Sequence, residues 1–300
     1  MQTECPAPKW LALAPRIRIL LAGICFSSGG AIIKLCSFPA LERVGVRAII
    51  AALTLFLLLP EARRRPNLRM LLLAVPYFGT TSLFVIANTM TSAANATFLQ
   101  ATYPLWVTLL GPFILREQAR RSDLGVLVFI AVGMLLFFLA PAIKSATAPD
   151  PKLGDLFALA AGLSFGIQLI GYRWLGKSGQ SEQYAAIAWG NVISAPCALL
   201  LTLALGQELT LGDSQSWVAI VFLGVVQIGL SYALLARALP SVMAVEASLL
   251  LMIEPALSPF FGYVIHDETP HLLAIAGGVV ILVAVAVGSI ASQPKSPTAA

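Results

Sequence analysis

Ten stretches of roughly 20 mostly apolar residues follow one another along this chain, separated by short turns rich in Pro, Gly, Ser and charge. A helix of that length crosses the hydrocarbon core of a bilayer. Lipid offers no partner to an open backbone, so only helices and closed barrels can span it. The runs lie near 17–36, 40–59, 70–90, 93–115, 124–142, 154–175, 184–205, 216–236, 242–265 and 272–291. Of the 300 residues, 58% are hydrophobic and 11% charged. A soluble domain carries about 25% charged residues, so no single globular core would hide this much apolar surface. The sequence therefore predicts an all-α, multi-pass membrane protein with ten transmembrane helices.

The net charge of +5 does not point to nucleic acid, because the basic residues sit in short loops between apolar runs. Cys5, Cys25, Cys36 and Cys197 show no CxxC and no metal spacing, and they read as free thiols. No metal and no cofactor is expected. The first apolar run leads straight into a membrane helix, and Glu4, Pro6, Pro8 and Pro15 precede or open it, so no cleavable leader is expected.

The chain also repeats itself. Tyr103-Pro104, Gly111 and Glu117 recur 151 residues later as Glu254-Pro255, Gly262 and Glu268. A weaker echo at an offset of 139 sets Ala22-Gly23, Phe26 and Lys34 against Ala161-Gly162, Phe165 and Arg173. With the N-terminus inside, 14 of the 19 Lys and Arg residues fall in inner segments, while the outer loops hold Glu208, Asp213, Asp267 and Glu268. Both termini are thus expected in the cytoplasm. The two copies lie five helices apart, an odd number, so they should run oppositely through the bilayer. This gives an inverted five-plus-five repeat, with residues 1–145 as the first unit and 146–300 as the second. Internal repeats of this kind mark many secondary transporters, whose sites lie near the midplane between halves.

At this point the residues resemble the drug/metabolite transporter superfamily and its EamA family, over nearly the whole chain. Each half of that family ends its fourth helix as proline, a small and apolar run, then leucine-glycine-glutamate. Here these are Pro104 through Glu117 and Pro255 through Glu268. The second helix matches with Pro39 and the run Arg47 to Leu53, and the sixth with Gly154-Asp155-Leu156. There are departures. The first helix reads Phe26-Ser27-Ser28-Gly29-Gly30 without the usual tryptophan; Arg116 and Asp267 replace the motif glycine; and Glu246 replaces a small or apolar residue. The resemblance implies export of small metabolites, amino acids or drugs across the cell inner membrane. Among its subgroups the chain most resembles the aromatic amino acid exporters of the YddG type, on aromatic content and length alone.

Tyr103 and Glu254 fall near mid-bilayer, each directly before a proline that frees the carbonyls of Gln100 and Leu251. An opened helix at that depth must face protein or a watery cavity, so both point to one central chamber. Glu254 has three readings: a proton carrier, a contact for a substrate ammonium, or a hydrogen-bonding residue that fixes its helix. A buried acid costs roughly 2.5–3.5 kcal/mol on insertion scales unless paired or protonated. Asn95 and Glu246 are repeat equivalents one level away, and Glu246 is a coupling or gating candidate. Helical spacing puts Tyr77, Thr81, Phe84 and Asn88 on one face, Phe165, Gln168 and Tyr172 on another, and pairs Tyr103 with Trp106 and Gln227 with Ser231. The expected substrate-lining set is Tyr77, Thr81, Asn88, Gln100, Tyr103, Trp106, Phe165, Gln168, Gln227 and Glu254. Trp10, Trp174, Trp189 and Trp217 suit interfacial anchoring. Glu42, Arg43, Arg47 and Asp155 are expected to form a structural or gating salt-bridge cluster, or else an anion site.

Other motifs fail on context. Gly171 to Ser178 spells a phosphate-loop pattern, but it closes a membrane helix and carries bulky residues. Asn95-Ala-Thr97 lies too near the bilayer for glycosylation, and His266 to His271 lacks zinc spacing. With no catalytic motif, the chain reads as a carrier rather than an enzyme. The expected partners are a small-molecule substrate, lipid and protons as coupling ion. The protein is expected to be a monomer whose halves rock to give alternating access.

Overall fold

The computed structural model describes residues 14–117, 121–139, 149–177, 182–266 and 272–291. Cys5, Trp10, Asp267, Glu268, His271 and both chain ends lie outside these residues. The helices are α1 (Pro15–Ser27), α2 (Gly29–Ile33), α3 (Ala40–Leu58), α4 (Leu68–Met90), α5 (Ala93–Gln100), α6 (Tyr103–Leu115), α7 (Arg121–Phe138) and α8 (Pro151–Lys177). They continue as α9 (Glu182–Ala204), α10 (Ser214–Phe222), a π-wound stretch (Leu223–Leu230), α11 (Ser231–Ala238), α12 (Ala244–Leu250), α13 (Ile253–His266) and α14 (Leu272–Ala291). No strand occurs among the described residues.

Among the described residues, seven helical stretches are long and apolar enough to cross a membrane: Pro15–Ile33, Leu68–Met90, Asn95–Leu115, Pro151–Lys177, Glu182–Ala204, Ser214–Ser241 and Ala244–His266. Asp123–Leu136 and Ile275–Ala284 are shorter apolar helices, and α3 has membrane length but carries Glu42, Arg43 and Arg47. Large apolar side chains such as Leu57, Phe113 and Val218 face outward, as lipid requires. Polar side chains set the helix starts. Asn67 caps α4, Ser92 caps α5 and Asp213 caps α10, each accepting a backbone N–H at 3.0 Å.

The two prolines interrupt their helices at matched places. α5 stops at Gln100 and α6 restarts at Tyr103; α12 stops at Leu250 and α13 restarts at Ile253. A helix from the other half packs into each break through a glycine. A Cβ on Gly162 of α8 would sit 2.6 Å from the Gln100 carbonyl oxygen and from Thr102 Oγ1. A Cβ on Gly23 of α1 would sit 2.4 Å from the Ile253 side chain. Only glycine lets these backbones approach so closely.

The sequence halves are not two separate bodies. α3 packs on α9, α4 on α8 and α9, and α7 on α14, so most helix pairs join one half to the other.

Candidate functional site

A small cavity of about 30 Å³ lies inside the bundle, lined by Phe26, Arg47, Thr80, Thr81, Phe84, Gln100, Phe165, Gln227, Ile228, Tyr232 and Glu254. Small-molecule sites usually enclose roughly 300–1,000 Å³, so this cavity as seen has room for little more than water. The two helix breaks aim at this space. Gln100 is the last residue of α5 and Glu254 stands in the first turn of α13. Both are buried, and Glu254 has no side-chain hydrogen bond or ion pair among the described residues.

Opposite them stands α3. Arg47 is 3% exposed, and its Nη1 donates to Gln227 Oε1 at 3.4 Å. Gln227 comes from the π-wound stretch, where the helix widens and re-aims its side chains. Gly224 in that stretch lets α3 close in, since a Cβ there would meet Ile50 at 2.6 Å. Local winding and close packing together hold the amide against the guanidinium.

Tyr232 forms the aromatic floor. Its hydroxyl accepts from Gln168 Nε2 at 2.8 Å, and the rings of Phe26, Tyr77 and Tyr172 surround it at centroid distances of 5.1, 5.7 and 6.3 Å. Tyr77 is tied back by its hydroxyl, which donates to Asn191 Oδ1 at 2.6 Å. Phe165 meets Tyr103 edge-on at 4.8 Å, while the Tyr103 hydroxyl is buried without a partner among the described residues. Aromatic rings and polar side chains thus share the cavity lining.

Residues 16–139 and 152–290 each match the EamA-like transporter family. The chain belongs to that family. It is a multi-pass membrane transporter, in a family of transporters rather than enzymes. It is 30% identical to an uncharacterized protein of Pseudomonas aeruginosa over 88% of this chain and 91% of that one. The threonine/homoserine exporter RhtA of Escherichia coli strain K12 is 27% identical over 91% of this chain and 90% of its own. The pseudopaline exporter CntI of Pseudomonas aeruginosa is 26% identical over 88% and 92%. A solved structure shares the fold at a TM-score of 0.72 with 16% identity, covering 93% of this chain and 97% of that one.

Among the substrate-lining candidates, the cavity of this EamA-family chain gathers Thr81, Gln100, Phe165, Gln227 and Glu254. Tyr77, Tyr103 and Gln168 stand one layer behind, touching lining residues. Asn88 lies two turns along α4, donating to the Phe84 carbonyl, and Trp106 packs beside Gly166 of α8. Neither lines the cavity. Sequence reasoning missed Phe26, Thr80, Ile228 and Tyr232 as lining residues. Tyr232 had a signal, being the lone tyrosine in the apolar run Ser214–Ser241.

The expected salt-bridge cluster does not form. Arg43 donates to the Phe38 and Ile33 carbonyls at 2.6 and 3.3 Å, and Glu42 accepts from Thr210 at 3.1 Å. Asp155 accepts from Thr91 Oγ1 at 2.9 Å with Asn95 beside it. Arg47, on the inner face of α3, turns into the cavity instead. Glu246 is not a cavity residue either. It pairs with Arg16 Nε at 2.6 Å at the end of the bundle where α1 and α12 begin. Arg16 and Asp155 are counterparts at the offset of 139, and Asn95 and Glu246 at 151. The two matched pairs thus close opposite ends.

Proposed function

We propose that this chain is an ATP-independent secondary transporter that exports a small metabolite by alternating access through the central cavity. The favoured cargo is an amino acid with an aromatic or apolar side chain. The observation that carries this reading is the cavity lining: Phe26, Arg47, Thr80, Thr81, Phe84 and Gln100 come from the first family match, and Phe165, Gln227, Ile228, Tyr232 and Glu254 from the second. A site built jointly by two repeats is what a carrier needs to be exposed to each side in turn. Two exporter relatives add support, one named for threonine and homoserine. The aromatic lining favours a larger apolar side chain than theirs.

The architecture proposed is ten crossings in an inverted five-plus-five repeat, units 1–145 and 146–300, with both termini in the cytoplasm and a single copy per working unit. The swapped contacts of Gly23 and Gly162 with the opposite helix breaks support the inversion. So does the placing of the matched pairs Arg16–Glu246 and Asp155–Thr91 at opposite ends. Among the described residues, ion pairs gather at the end holding Arg16, Arg173 and Arg237, which suits the cytoplasmic face.

A second reading, a proton-coupled exporter of drugs or cationic metabolites, is favoured by the unpartnered carboxyl of Glu254. Reconstituted proteoliposomes decide between them. The expected result is saturable counterflow of labelled phenylalanine and leucine, stimulated by a pH gradient if protons are coupled. Movement of an organic cation with no amino acid flux would replace the first reading by the second.

A further inference from the structure

The cavity holds two ionisable side chains of opposite sign, and among the described residues neither has a counter-ion. Arg47 reaches it from α3 with one long hydrogen bond, to the neutral amide of Gln227 at 3.4 Å. Glu254 reaches it from α13 with no side-chain partner among the described residues. Both are more than nine-tenths buried, and both line the same cavity. No salt bridge of 4.0 Å or less joins them. A charge taken out of water is costly unless it is paired, and in a membrane helix such a residue marks a ligand or ion path. Here two occur, facing one small space.

We propose that the cavity is a two-ended clamp for a free α-amino acid, with Arg47 taking the carboxylate and Glu254 the ammonium. This rests on the transport reading above and sharpens it to a zwitterion with both ends unblocked. A planar guanidinium matches a carboxylate in a way an ammonium does not, and Gln227 beside Arg47 limits how its fork can turn. A simple cation would satisfy Glu254 and set a like charge against Arg47. A simple anion would do the reverse. Only a molecule carrying both charges neutralises both walls. Its side chain then meets Phe26, Phe84, Phe165 and Ile228, which are apolar and so select against a further charge.

The neighbouring charges do not compete for these roles. Arg43 is occupied by the Phe38 and Ile33 carbonyls, Asp155 by Thr91, and Glu246 by Arg16.

Competition on the unaltered protein tests the clamp. Proteoliposomes take up labelled phenylalanine against an excess of unlabelled phenylalanine, phenethylamine, phenylalaninamide or N-acetylphenylalanine. A site built around buried polar groups rejects an analogue that leaves one unpaired. The three blocked analogues should therefore compete about 100-fold less well than phenylalanine. In Arg47→Gln, phenethylamine should approach phenylalanine as a competitor, whereas in Glu254→Gln N-acetylphenylalanine should do so. This crossed pattern is not the result of a merely misfolded protein. If phenylalanine is carried but the blocked analogues compete equally with it, the clamp is wrong and the transport reading stands. If neither phenylalanine, leucine nor threonine is carried while another solute is, the amino acid reading fails and the clamp with it.

Discussion

The two ends of the bundle are closed by matched residues of different chemistry. At one end Arg16 meets Glu246 as an ion pair, and Glu117 receives Arg173 at 2.9 Å, Lys177 at 2.7 Å and the Ala244 N–H at 3.2 Å. At the other end the counterpart of Arg16 is Asp155, held by the hydroxyl of Thr91, while Asp213 receives Ser216 and Ser37. Repeat-related positions therefore need not carry repeat-related charge. Partly buried ion pairs with full hydrogen bonding hold more firmly than bonds from neutral donors. The end rich in ion pairs is the firmer closure, and the Asp155 end is the one expected to yield first.

The largest test of that contrast is Glu117→Ala, which leaves Arg173 and Lys177 without their acid and Ala244 without its cap. Removing one partner from such a network should cost roughly 3 kcal/mol, read as a drop of several degrees in the melting temperature in detergent. Acid should reproduce part of this. Burial pulls the Glu117 carboxyl upward, but hydrogen bonds from Lys177, Ala244 and Arg173 and the charge of Arg173 outweigh it, and the group sits below the usual glutamate range. A lowered carboxylate contributes fully above its unfolded value of about 4.3 and is lost as pH falls through the lower folded value. Melting should thus be insensitive to Glu117 from about pH 6 to 8 and fall below about pH 4, with Glu117→Gln removing that acid step.

Smaller effects follow at the matched pairs. Arg16→Ala should loosen the firm end by about 1 kcal/mol, raising labelling of a cysteine placed at Thr80 by a membrane-impermeant thiol reagent added from that side. Asp155→Asn keeps a hydrogen-bond partner for Thr91 and should cost under about 0.5 kcal/mol, with little change in labelling from the opposite side. Equal labelling changes in these two proteins would abolish the contrast between the ends.

Much of this was legible in the residues themselves. The apolar runs announced membrane helices, and Pro104 and Pro255 stand just past the two breaks, each removing an N–H from the helix ladder. Glu254 stood out as an acid where solvent is absent. Of the two readings of Arg47, the salt-bridge cluster did not form, although three charges in one helix look like one cluster. Whether they share a partner depends on how α3 is rotated against α9 and the π-wound stretch, which no local pattern encodes. Tyr232 was passed over because its neighbours Phe26, Tyr77 and Tyr172 come from three other helices. Pairing of α3 with α9 and of α7 with α14 is likewise a property of assembly, not of spacing.

The wide winding of Leu223–Leu230 has a consequence of its own. A π turn accommodates one residue more than an α turn while leaving both flanks in phase. That surplus makes this stretch a place where the helix can tighten or relax without breaking its ladder. Tightening would swing Gln227 away from Arg47 while the ends of the segment stayed anchored by Ser216 and Arg237. The same eight residues thus offer a winding change, short of any tilt of whole helices, by which a guanidinium could gain or lose its escort as cargo arrives.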